Sequence, residues 1–183
     1  STDTTKFVWS QVSKKFNSDK ASDVSYHLEI DTINSFVSSF ISYQIDSNSL
    51  NQVFTDDGHY FWRVTASDMA NNTGAPSDVW RLTVDRGAPL IDSVTDYPDT
   101  SFAGPYEISC KVTDAYSGVD SVSLVYLRPE DSSWLTKTMH RYGDWFIDTI
   151  PAISQYGDIN YYVMASDSSN PSNEGRDPAN APV

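Results

Sequence analysis

Tyr60-Phe61-Trp62-Arg63-Val64-Thr65-Ala66-Ser67-Asp68 recurs, in looser form, as Ile159-Asn160-Tyr161-Tyr162-Val163-Met164-Ala165-Ser166-Asp167. Both stretches alternate large apolar with polar residues and end on Ala-Ser-Asp before an Asn-rich loop. Period-two alternation is the pattern of a half-buried strand. The spacing of 99 residues between the copies is the size of one β-sandwich, so the chain holds one structural unit twice.

Working outward from the repeat, short apolar runs bounded by Gly, Pro, Asn, Asp and Ser recur about every ten residues, and helical patterns are scarce. In the first half, Phe7-Val8-Trp9 opens one strand, and Tyr26, Leu28 and Ile30 alternate with His27 and Glu29 on the next. Residues 35–45 read as strand, and Asp56-Asp57-Gly58 reads as a tight turn that launches the long strand from Tyr60. Trp80 to Val84 closes the half, and Asp85-Arg86-Gly87-Ala88-Pro89 is a linker. In the second half Ile108, Cys110 and Val112 share one face, and strands are expected at residues 119–126, 134–139, 145–150 and 159–165. After Asn170, Gly175, Pro171, Pro178 and Pro182 oppose a last strand, which predicts an irregular tail. The expected fold is all-β, two consecutive antiparallel β-sandwiches over residues 1–86 and 87–183, with six or seven strands in each.

The composition narrows the function. Of a net charge of -13, residues 1–86 contribute 7 basic and 11 acidic side chains and residues 87–183 contribute 5 and 14. Such a balance repels nucleic-acid phosphate and anionic lipid, so no nucleic-acid partner is expected. No run of about 18 apolar residues is present, so no membrane insertion is expected either. Cys110 is the only cysteine, which rules out an intramolecular disulfide and a thiolate zinc site and suits a small buried hydrophobe. The polar start and the abrupt close at Asn180-Ala181-Pro182-Val183 read as a piece of a longer polypeptide.

Residues 6–85 resemble fibronectin type III domains through Phe7-x-Trp9, Tyr26-x-Leu28-x-Ile30, Asp57-Gly58-x-Tyr60-x-Trp62-Arg63-Val64-x-Ala66-x-Asp68 and Trp80-x-Leu82-Thr83-Val84-Asp85. The resemblance places Tyr60 at a tyrosine corner, its hydroxyl tied to the preceding loop. The second half looks like a bacterial immunoglobulin-like domain through Val112-x-Asp114-x-x-Ser117-Gly118-Val119-x-x-Val122-x-Leu124-x-Tyr126 and Tyr161-Tyr162-Val163-x-Ala165-x-Asp167. Neither family implies a reaction.

No catalytic arrangement is legible: His27, His59 and His140 have no metal-binding or triad spacing, and Asp56-Asp57 and Glu130-Asp131 sit in turns. Two binding readings stand beside their structural counterparts. Sandwich topology brings Asp114, Asp120 and Asp167 to the pole where the second domain begins, next to Asp85, so Asp85, Asp114 and Asp167 are candidate ligands for an interdomain calcium ion. Asp in turns also serves simply to hydrogen-bond nearby backbone. Trp134 and Trp145, with Tyr142, flank an apparent hairpin and are candidates for a sugar platform, whereas Trp9, Trp62 and Trp80 alternate with the core face and are expected to be buried. The sequence reading is a non-catalytic spacer or adhesin stalk in a secreted or cell-surface prokaryotic protein, partnered by flanking domains. The competing readings are a glycan- or protein-binding module and an accessory segment of a secreted hydrolase.

Overall fold

The computed structural model describes residues 4–12, 24–37 and 40–181. Its described residues form fourteen strands and no helix, and the chain divides into two compact units, Ser1–Val84 and Asp85–Val183.

The first unit contains β1 (Thr4–Val8), β2 (Val24–Asp31), β3 (Ile41–Ile45), β4 (Ser49–Val53), β5 (Gly58–Asp68) and β6 (Trp80–Val84). One antiparallel sheet runs β3-β2-β5-β6, and a two-stranded sheet pairs β1 with β4. Alternation along β2 turns Tyr26, Leu28 and Ile30 inward, where they pack with Phe7, Phe54, Tyr60 and Val64. On the outer face, Arg63 makes a bidentate pair with its cross-strand neighbour Glu29 at 2.7 and 3.1 Å. The Phe36 ring lies 4.3 Å from the Arg63 guanidinium. That contact explains a departure from the sequence reading. Of the described residues among 35–45 only Ile41 to Ile45 form a strand, because Phe36 takes a positive φ of 50° and folds its ring down onto Arg63. Residues 38 and 39 of that stretch lie outside the described residues.

The second unit contains β7 (Leu90–Asp92), β8 (Tyr106–Thr113), β9 (Val119–Leu127), β10 (Leu135–Thr138), β11 (His140–Tyr142), β12 (Trp145–Ile150), β13 (Asn160–Asp167) and β14 (Glu174–Asp177). Sheets β10-β9-β13-β14 and β11-β12-β8-β7 enclose Ile108, Cys110, Val112, Val122, Leu124, Phe146, Ile150 and Val163. Cys110 is fully buried there, and burial, with a smaller contribution from Asp177, pushes its thiol up to about 11, so it behaves as a small hydrophobe.

The expected irregular tail is corrected: β14 forms between Pro171 and Pro178 and pairs with β13 from Ser166↔Glu174 to Val163↔Asp177. Gly175 makes this possible, since a side chain there would meet the Pro89 carbonyl oxygen at 2.4 Å. Pro182 and Val183 of that tail lie outside the described residues.

The tyrosine corner is present: the Tyr60 hydroxyl donates to the Asp56 carbonyl at 2.9 Å. Tyr106 in the second unit donates to the Phe102 carbonyl, also four residues back. Replacing Tyr60 by Phe keeps the ring in the core and removes one bond, so chemical denaturation should show a loss of about 1 kcal/mol with an unchanged m-value.

Candidate functional site

Asp68 and Asp167 do the same work in the two units. Asp68 Oδ1 accepts the Ala70 and Asn72 N–H groups at 2.9 Å each, and its Oδ2 accepts Asn72 Nδ2 at 2.9 Å. Asp167 Oδ1 accepts Ser169 N–H at 3.1 Å, Ser169 Oγ–H at 2.7 Å and Asn173 N–H at 2.8 Å, while its Oδ2 accepts Asn173 Nδ2 at 2.7 Å. The main chain closes the same ring, Asp68 N–H to Asn72 O and Asp167 N–H to Asn173 O, both at 3.1 Å. The repeated Asp therefore fastens the loop that leaves the long strand. Its Asn partner, four residues on in one unit and six in the other, was not singled out in the sequence, although an Asn in each following loop was the available signal.

At the start of the second unit this clamp meets two more carboxylates. Asp85, Asp114 and Asp167 each offer an oxygen within 4.8 Å of the other two. All three belong to the second unit. Asp85 receives Gly87 N–H at 3.0 Å and Ser117 N–H at 2.9 Å. Asp114 Oδ1 receives Gly118 N–H at 2.6 Å and Tyr116 N–H at 3.1 Å. Asn173 Nδ2 also donates to the Asp85 carbonyl at 3.2 Å, so the linker, the loop after β8 and the loop after β13 are tied together. Oxygen separations up to 4.8 Å are ones that a hard cation with bonds of about 2.4 Å can bridge, so these are the residues able to hold one. The donors around these carboxylates are backbone N–H, Ser and Asn groups, and they account for the cluster as a hydrogen-bonded anchor. Asp120, at the second residue of β9, and the first unit's Asp56-Asp57 turn are not among these three.

Asp167 is 1% exposed. Burial alone would raise its pKa, but the Ser169 and Asn173 donors outweigh it and hold the carboxyl below its ordinary value. A second buried carboxylate behaves alike. Asp148 shares the inward face of β12 with Phe146 and Ile150 and pairs with Lys137 Nζ, which β10 brings from the opposite sheet. Burial again opposes ionisation, and Lys137, the Thr149 N–H at 2.6 Å and His140 at 3.5 Å overcome it, so the pKa is lowered. The two sheets are thus joined by an ion pair whose carboxylate is buried and whose ammonium reaches solvent.

Trp134 and Trp145 are not brought together. Trp134 precedes β10 and packs edge-on against Tyr162 of β13, ring centroids 5.5 Å apart, on the outer face of one sheet. Trp145 pairs with Tyr142 on the other sheet and alternates with the inward Phe146, so it lies on the opposite outer face. Two sheets packed about 10 Å apart separate the rings, which cannot form one platform. The aromatic surface lies elsewhere in this unit. A cavity of about 650 Å³ is lined by Tyr97, Tyr106, Tyr156 and Tyr161 together with Asp99 and Asn160. The Tyr97 and Tyr161 hydroxyls are fixed to the Glu107 and Thr95 carbonyls at 3.0 and 2.6 Å, whereas Tyr156 is 84% exposed. Trp80 departs from the expectation of burial, being 57% exposed, and Trp9 and Trp62 are partly covered.

Replacing Asp167 by Ala leaves the half-buried Asn173 and Ser169 donors without their acceptor, and a loss of about 1–3 kcal/mol is expected by thermal or chemical denaturation. Both Asp148 and Asp167 have lowered folded pKa values, so they stabilise the fold above the ordinary carboxyl value of 3.8. That contribution should be lost as pH falls from there through their folded values, and Asp167→Asn should flatten the acid limb of a Tm against pH curve. A calcium titration separates the two uses of the cluster. The hydrogen-bonded anchor predicts an indifferent Tm, and a rise abolished by Asp114→Asn would show a cation on the remaining lone pairs. Compared with known proteins, the chain matches no family model and no curated protein.

Proposed function

We propose that this chain is a non-catalytic structural module of a larger secreted or cell-surface protein, a tandem spacer of fibronectin type III-like and immunoglobulin-like sandwiches that positions its flanking domains. The observation that carries this reading is the fate of the acidic groups. Asp68, Asp114 and Asp167 all accept backbone N–H groups of their own loops, which stiffens the sandwich ends. Groups suited to chemistry are tied up likewise: the Cys110 thiol is buried with its pKa raised, and Asp148 is held ionised by Lys137. A spacer needs independent cores and fastened loops, and each unit has its own core.

Stretching a single molecule from its ends should give two separate unfolding events, each releasing about 25–30 nm of chain as expected for sandwiches of this length. One merged event at negligible force would count against a load-bearing role, as would turnover of a polysaccharide or peptide substrate.

The tyrosine-lined cavity favours a second reading, a glycan-binding module. Its Tyr97 and Tyr161 rings are held by hydrogen bonds to backbone carbonyls, Tyr156 is exposed at its mouth, and its lining includes Asp99, Asp158 and Asn160, with no Lys or Arg. Aromatic faces stack on the C–H faces of a neutral sugar, and carboxylate and amide oxygens accept from its hydroxyls. Under this reading Tyr156→Ala, an exposed change that leaves the core intact, should abolish glycan-array binding at unchanged Tm.

A further inference from the structure

The two sheets of the first unit are unequal: β1 and β4 face four strands. The Trp9 N–H donates to the Asn48 carbonyl at 3.1 Å, and the register places Phe7 opposite Leu50 and Thr5 opposite Gln52. Hydrogen-bonded pairs of an antiparallel ladder recur every second residue, so Thr5, Phe7 and Trp9 direct their peptide groups at β4. Lys6 and Val8 direct theirs to the other edge, which pairs with no strand among the described residues.

Beside that edge runs a groove of about 850 Å³, with Trp9, Tyr26, Trp62 and Val64 among its lining and Val8 and Trp80 at its rim. Val8 is 55% exposed and Trp80 57%, so the groove beside the open edge carries exposed apolar surface. The Trp9 indole N–H is buried and has no acceptor among the described residues. A buried donor without a partner costs about 1–3 kcal/mol.

These features specify an occupant. It must present peptide N–H and C=O groups at strand spacing to Lys6 and Val8, and apolar side chains at alternate positions to the groove. An extended polypeptide strand meets both demands. Charge selects further. Lys6 is the middle residue of β1 and is exposed, so a second copy pairing antiparallel over the whole strand would set Lys6 against Lys6. Like charges directly opposite are destabilising, and a lysine in mid-edge is a common guard against self-pairing. A net charge of -13 opposes self-association as well. We propose that the open edge of β1 and the tryptophan-lined groove form a docking site for an extended strand of another polypeptide segment, apolar at alternate positions and acidic opposite Lys6.

The probe is an acetylated, amidated nonapeptide alternating threonine and valine, with glutamate as its central residue, added to the full chain. Amide exchange followed by NMR should show Lys6 and Val8 protected about ten-fold more when the peptide is in about ten-fold excess over its Kd, while β6 amides stay unchanged. Lysine in place of the glutamate should weaken binding. Val8→Pro removes an N–H that faces the open edge and not β4, so the folded variant should lose the protection of Lys6. Trp80→Ser, at an exposed position, should weaken binding with the Tm retained. The proposal is overturned if millimolar peptide leaves the Lys6 and Val8 amides unprotected, or if Val8→Pro binds as well as the parent. Concentration-dependent dimers that protect the same two amides without peptide would also overturn it, since the occupant would then be a second copy.

Discussion

A carboxylate at the end of the repeated strand in each sandwich, β5 and β13, accepts hydrogen bonds from the loop that follows and sets the return path of the chain. Asp68 and Asp167 gather N–H groups that a tight turn would otherwise leave to solvent, and the paired Asn side chain closes the ring. In the second unit the consequence is measurable in topology. Asn173 is held beside Asp167, so Glu174 emerges opposite Ser166 and β14 zips along β13. Asp85 and Asp114 then fasten the linker and the loop after β8 at the same pole.

Polar groups serve the fold elsewhere too. The Lys137 and Asp148 pair crosses between sheets, and removing Lys137 would leave the buried Asp148 carboxylate uncompensated. On the other unit's surface, Arg63 links Glu29 to the Phe36 ring and so anchors the loop that separates β2 from β3.

Much of this was legible in residue order. The repeat gave the unit size, Tyr60 gave the corner, and the alternation around Cys110 gave its burial. Asp85, Asp114 and Asp167 were found because loop positions in a sandwich follow from strand order. The failures share one cause. Residues 35–40 read as strand because period-two alternation does not register a ring folded onto a guanidinium. The last strand was discounted because Pro171 and Pro178 bracket it, yet both stand outside its four paired residues. Trp134 and Trp145 are eleven residues apart in sequence but on opposite outer faces, since the strands between them change sheets.

The sequence by itself determined the fold class, the duplication of the unit and the apolar face of each strand, because these depend on local periodicity and on turn chemistry. Only the tertiary structure decided that Asn173 closes the Asp167 clamp, that Lys137 answers Asp148, and that β1 keeps an edge unpaired among the described residues beside Trp9, Trp62 and Trp80. Those outcomes depend on which strand lies beside which, and hydrogen-bonding partners far apart in the chain leave no periodic trace in it.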